Sequence, residues 1–234
     1  GWGRIRAFLY LPDATTAPFQ TVVWFPGSMA AIAGPDPDPL ESAGAIEHFV
    51  ASGRAVLAPI LRGTFSRADP DQPPGMNTTW PKPTREYVDF ARSWVSEMRR
   101  SVDYLESRAE IDAEKIAYYG TSWGGRYAAI IPAVEPRFAV NIAIIGGLAA
   151  GLALPEVDQI NYVTRITVPT LMLNGRHDPL EPVEGSQLPM FRLLGTPEAD
   201  KRHVIYDGYA HGVPRNESIA ETLDWLDKYF GQPR

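Results

Sequence analysis

Gly120-Thr121-Ser122-Trp123-Gly124 sets a serine between two glycines in the pattern G-x-S-x-G. A serine hydroxyl is a weak nucleophile at its own pKa and needs an adjacent base. Four histidines could serve: His48, His177, His203 and His211. His48 falls in a helical stretch and His203 in a strand-like one. His211 sits in Asp207-Gly208-Tyr209-Ala210-His211-Gly212, a glycine-flanked loop, and is the expected base. The bland alternative is a surface loop histidine. Asp178, in Asn174-Gly175-Arg176-His177-Asp178-Pro179, could hold the imidazole in the useful tautomer. Its bland alternative is an Asp-Pro turn residue. His177 is a rival base, ranked below His211 because neighbours on a turn point in different directions. The chain order is then Ser122, Asp178, His211. Acyl transfer also needs donors for the oxyanion. Trp123 N–H is expected to be one, and Ser28 or Met29 N–H, from Pro26-Gly27-Ser28-Met29, the other.

Chemistry of this kind needs elements that bring the three places together. The strand-like run Lys115–Tyr119 precedes Ser122, and a helix follows it to about Ile131, closed by Pro132 and Pro136. Strands are expected over Arg4–Leu11, Thr21–Phe25, Ala55–Ala58, Ala139–Ile145, 167–173 and Lys201–Tyr206. Helices are expected over Leu40–Ser52, Thr84–Arg108, Glu184–Leu194 and Glu217–Phe230. In the clearest of them Tyr87, Ala91, Trp94, Val95, Met98, Val102 and Leu105 recur at spacings of three and four. Alternating strands and helices predict an α/β chain with a mostly parallel central sheet and helices on both faces. In such sheets ligands bind at the carboxyl ends of the strands. Pro26-Gly27-Ser28, Ser122, Asp178 and His211 each follow a predicted strand and should share that edge. The proline-rich stretch 60–83 is too long for an ordinary connection. Its Phe65, Met76 and Trp80, with Trp123 and Tyr209, are expected to wall a substrate pocket, unless they are simply core.

The 234 residues suffice for one domain, 1–234. The chain opens without Met, which points to a processed form or an excised domain. With a net charge of −6 and no basic run, nucleic acid is not an expected partner. The longest apolar run, Phe138–Leu154, is broken by Asn141 and three glycines and falls short of the roughly 20 residues a spanning helix needs, so no membrane partner is expected. No signal peptide is visible, and a cytoplasmic location is expected over a secreted one. The chain has no cysteine, which excludes disulfides and thiolate chemistry. The histidines are isolated and Asp69 and Asp71 read as solvated, so neither metal nor cofactor is expected.

Three stretches carry a resemblance: Ile111–Ile116 leading into Gly120–Gly125, Val168–Gly175 before Asp178, and Gly208–Arg215 around His211. Across them the chain resembles α/β-hydrolase fold proteins. It is similar in tone to dienelactone hydrolase and prolyl oligopeptidase-like serine hydrolases, including those fused to bacterial protein kinases. The resemblance covers essentially the whole chain and implies a serine hydrolase with the triad Ser122, Asp178 and His211. Relatives often carry His-Gly-Gly where this chain has Pro26-Gly27-Ser28, and the dienelactone hydrolases proper use a cysteine nucleophile. Within these residues no propeller domain is expected, and residues 146–166 have room for a minimal cap or none. The expected activity is hydrolysis of small to medium carboxylic esters, with a small-molecule ester as partner. Peptidase or amidase action is the rival enzyme class. A non-catalytic binding module on the same fold is the rival without chemistry.

Overall fold

The computed structural model describes residues 4–13, 15–32, 46–68 and 79–234. Met76, Asp69 and Asp71 lie outside the described residues, as does the first part of the helix expected over Leu40–Ser52.

Seven strands form one sheet: β1 (Arg6–Tyr10), β2 (Phe19–Phe25), β3 (Ala55–Ile60), β4 (Ile111–Thr121), β5 (Val140–Ile144), β6 (Thr170–Gly175) and β7 (Lys201–Tyr206). Their order is β1-β3-β2-β4-β5-β6-β7, with β1 antiparallel and the rest parallel. β2, β3, β5, β6 and the second half of β4 are almost wholly buried, because both faces of the sheet are covered. Alternate residues feed opposite layers. On one side Val23, Phe25, Leu57, Tyr118 and Met172 belong to the core layer that also takes the packed face of helix α2 (Arg85–Glu106). On the other, Val22, Trp24, Val56, Tyr119 and Leu173 meet helix α1 (Glu47–Ala51) and helix α6 (Arg215–Phe230).

Helix α2 starts where Thr84 caps it, its hydroxyl accepting from Tyr87 N–H at 3.2 Å. The predicted stripe is its packed face, with Val95 only half-buried. Burying a large apolar side chain contributes about 1.5–3 kcal/mol, while ordering each residue's backbone costs about 1–2 kcal/mol. The helix therefore depends on the sheet for its stability. Trp94 Nε1–H also donates to Arg62 O at 2.8 Å, and Glu97 accepts from Arg62 N–H at 2.8 Å. These bonds pin the start of the long connection after β3.

Two expectations need correction. The helix after Ser122 is two short pieces, α3 (Trp123–Tyr127) and α4 (Ile131–Val134), and Pro132 lies inside the second rather than closing the first. Proline has no N–H to return to Ala128 O. That carbonyl accepts from Asn141 Nδ2 instead, at 3.1 Å. The polar interruption in β5 thus serves the broken helix beside it. The helix expected over Glu184–Leu194 begins as a π-turn, Val183–Gln187, and continues as α5 (Leu188–Leu193), with Pro189 in its first turn, where proline is tolerated. Among the described residues no helix is long and apolar enough to cross a membrane.

Strand order reverses at β2. The chain crosses from β2 to β3 on one side, then returns to place β4 on the other. Phe25 pairs with Gly120, so the ends of β2 and β4 lie side by side. A crevice opens at such a reversal, outside the carboxyl ends of the strands.

Candidate active site

Ser122 lies on the turn between β4 and α3 with φ +55° and ψ −106°. A positive φ is strained for a residue with a Cβ and persists only where neighbours hold it. Here Ser122 N–H donates to Ile144 O at 2.8 Å, and Gly124 N–H donates to Pro26 O at 3.1 Å. The two glycines of the motif allow the squeeze. A Cβ on Gly120 would sit 2.2 Å from Gly124 O, and one on Gly124 would sit 2.2 Å from Phe25 O. With only five residues in α3 before the break, little macrodipole accumulates at the serine. What the turn offers is its first backbone N–H groups.

His211 comes to Ser122 from the loop after β7. Its Nε2 lies 2.7 Å from Ser122 Oγ, and its Nδ1 lies 2.7 Å from Asp178 Oδ2. With the proton on Nδ1, the ring donates to Asp178 and accepts from the serine hydroxyl. Asp178, on the turn after β6, is buried at 3% exposure. Its Oδ1 accepts from Leu180 N–H at 2.9 Å and Glu181 N–H at 3.0 Å. Burial pushes the carboxyl up, but the bonds from His211, Glu181 and Leu180 prevail and hold it below the usual carboxylate range. The two loops are tied together where His177 N–H donates to Tyr209 O at 2.9 Å.

The structure brings Ser122, Asp178 and His211 into one hydrogen-bonded run and leaves the other histidines out of it. His177 is exposed on the same turn as Asp178. His203 Nε2 lies 3.1 Å from Asn174 Oδ1 in the sheet. His48 packs against Phe49 and Tyr119.

The loop after β2 turns at once into a short 3₁₀ segment, Ser28–Ala31. A Cβ on Gly27 would lie 3.5 Å from Ser122 Cβ, so this turn runs against the serine. Ser28 and Met29 open the segment and Trp123 opens α3, positions whose N–H groups have no partner within their own helix. Ser28 is buried and its Oγ lies 2.8 Å from Thr79 Oγ1, whereas Met29 is 65% exposed.

The five expected pocket residues part company. The Trp123 ring is 1% exposed and packs edge-on against Phe25 and Trp94, so it is core rather than wall. Phe65 is buried with Ala30 and Ile60 beneath the loop after β2. Trp80 is half-buried with the Arg126 guanidinium 3.6 Å from its ring centre. Tyr209 is 39% exposed beside His211. Met76 lies outside the described residues.

Sequence reasoning missed the groups that hold the acid in place, namely the N–H groups of Leu180 and Glu181. It also missed Thr79 behind Ser28, and Arg126. Only Arg126 carried a usable signal, since it follows Ser122 by four residues, about one helical turn.

No family model matches the chain. An uncharacterized protein of Mycobacterium tuberculosis is 22% identical over 149 residues, 58% of this chain and 52% of that protein. The chain spans about half the length of the curated relatives it matches. Solved structures align over nearly all of it. An acetyl xylan esterase from Paenibacillus sp. R4 is 20% identical with a TM-score of 0.70, covering 97% of this chain and 80% of its own. A putative dipeptidyl aminopeptidase IV from Bacteroides ovatus is 15% identical with a TM-score of 0.74, covering 97% and 34%. A cold-adapted esterase from an Arctic intertidal metagenomic library is 18% identical with a TM-score of 0.68, covering 96% and 88%. At these identities the likeness establishes the fold. The chain has the α/β-hydrolase fold, as the resemblance in its sequence implied.

Proposed function

We propose that the protein is a serine hydrolase of small to medium carboxylic esters, working through Ser122, His211 and Asp178. The observation that carries this reading is the run Ser122 Oγ–His211 Nε2 and His211 Nδ1–Asp178 Oδ2, with 2.7 Å at each step. His211 takes the Ser122 proton as Oγ attacks the ester carbonyl. Asp178 stabilises the imidazolium that forms. Trp123 N–H and Ser28 or Met29 N–H receive the oxyanion. The tetrahedral adduct collapses, His211 protonates the leaving alcohol, and an acyl-enzyme remains on Ser122. Water, deprotonated by His211, then attacks the acyl group and releases the acid and the free serine. No step requires a metal or a cofactor. Tyr209 and Trp80 remain as pocket walls in this reading, and Phe65 and Trp123 drop out.

Likeness to a putative dipeptidyl aminopeptidase IV supports a second reading, amide hydrolysis by the same groups. An alcohol leaves more readily than an amine, so the ester reading expects kcat/KM for p-nitrophenyl acetate or butyrate to exceed that for matching p-nitroanilides by at least about a hundredfold, a gap of about 2.7 kcal/mol in barrier. Equal rates, or faster anilide cleavage, would replace the esterase by an amidase.

A further inference from the structure

Two charges are buried beside the site and take no part in the proton transfers. Arg126 is 3% exposed and Glu181 is fully buried, with Arg126 Nε 2.5 Å from Glu181 Oε1. Glu181 Oε2 accepts from the Ser186 hydroxyl. Removing two charges from water nearly cancels their attraction, and apolar replacements of a buried pair are often neutral or stabilising. Stability is therefore a weak account of why the pair sits here. Its connections supply a stronger one. Arg126 N–H donates to Ser122 O at 2.9 Å, so the guanidinium hangs from the turn that carries the nucleophile. Glu181 N–H donates to Asp178 Oδ1 at 3.0 Å, so the carboxylate hangs from the turn that carries the acid. A third arm runs from Arg126 Nη1 to Thr79 O at 3.4 Å, and from Thr79 Oγ1 to Ser28 Oγ at 2.8 Å. Trp80 lies against the guanidinium and restrains it.

From these contacts we infer that Arg126 and Glu181 are positioning residues, which set the Ser122 turn, the Asp178 turn and the Ser28 loop in register for catalysis. The inference rests on the hydrolase reading above. The pair touches no reacting atom. It joins three connections that the sheet alone leaves independent, since each follows a different strand. Errors of about 1 Å in a reacting geometry can lower rate on the order of a hundredfold without loss of fold.

The test is the apolar double variant Arg126→Met with Glu181→Leu, assayed on p-nitrophenyl butyrate beside Glu181→Gln. The carboxamide of the second variant can still accept from Arg126 and can donate to the Ser186 hydroxyl. The expected result for the double variant is a thermal midpoint within a few degrees of the parent, kcat lowered at least about tenfold and KM within about threefold. Glu181→Gln should recover most of the kcat. Unchanged kcat in the double variant would overturn the proposal, because the pair would then be structural filler. Should the double variant not fold, Arg126→Lys keeps the charge without the fork. It must lower kcat at least about fivefold with KM held, and parent-like kcat there overturns the proposal. The rate at which a fluorophosphonate labels Ser122 is measured in parallel. If the parent labels at Ser122 but cleaves no ester, the esterase reading fails alone, and the same fold-changes are read in the labelling rate. If the parent neither labels nor cleaves, the serine reading fails and the positioning role falls with it.

Discussion

A carboxylate that accepts two backbone N–H bonds and an imidazole N–H stays charged even out of water. Asp178 is in that position, and its carboxyl is accordingly held low against the push of burial. In the proposed mechanism that charge favours the Nδ1–H tautomer of His211, with Nε2 left to accept from Ser122. Asp178→Asn keeps the shape but offers an amide that can donate to Nδ1 and invert the tautomer. The expected result is a loss of roughly 10⁴-fold in kcat with an unchanged circular dichroism spectrum. A loss of less than about tenfold would mean that the tautomer is set elsewhere. The sequence made Ser122, Asp178 and His211 legible because each follows a strand in a distinctive turn. It could not reveal that Leu180 and Glu181 hold Asp178 through their backbone N–H groups, which any residue type but proline would supply.

Elements with a clear period were readable to within a residue or two. β7 was expected at Lys201–Tyr206 and is found there, and α2 differs from its expected bounds only at the ends. β4 starts four residues before its expected Lys115, at Ile111, and two other departures fall at a proline or polar residue. β3 runs two residues beyond Ala58, through Pro59. Past Leu57 it no longer pairs with β2 and keeps only β1, so the missing N–H of Pro59 is tolerated. The broken helix after Ser122 is the same case, since Asn141 reaches it from a strand. α2 also offers a simple energetic test. Thr84→Ala removes the cap on Tyr87 N–H, which costs about 1 kcal/mol. In a chain of this size the unfolding midpoint should drop by about 2–4 °C. A midpoint equal to the parent's would mean that solvent replaces the hydroxyl at no loss.

At the scale of the whole molecule, two buried histidines outside the site contribute to the response to acid. Burial lowers His48 and His203 from 6.5 to about 4, and His48 has no hydrogen-bond partner among the described residues. The folded chain therefore keeps both neutral where the unfolded chain takes up protons. Unfolding binds protons between those two values, so stability is full above about 6.5 and declines as pH falls towards 4. Calorimetry should find the midpoint falling across that window, and His48→Leu should flatten part of the slope. A midpoint constant from pH 6.5 to 4 would mean that neither ring is dry in the folded state. The same scale holds the main question, whether the seven-stranded frame delivers a working nucleophile at the edge where β2 and β4 meet. Turnover of p-nitrophenyl butyrate by the parent and by Ser122→Ala answers it most directly. Removing the serine from a comparable triad lowers turnover on the order of a million-fold, so the expected result is hydrolysis by the parent and background rate in the variant. Equal hydrolysis by both proteins would contradict the account, since the reacting group would then lie somewhere other than Ser122.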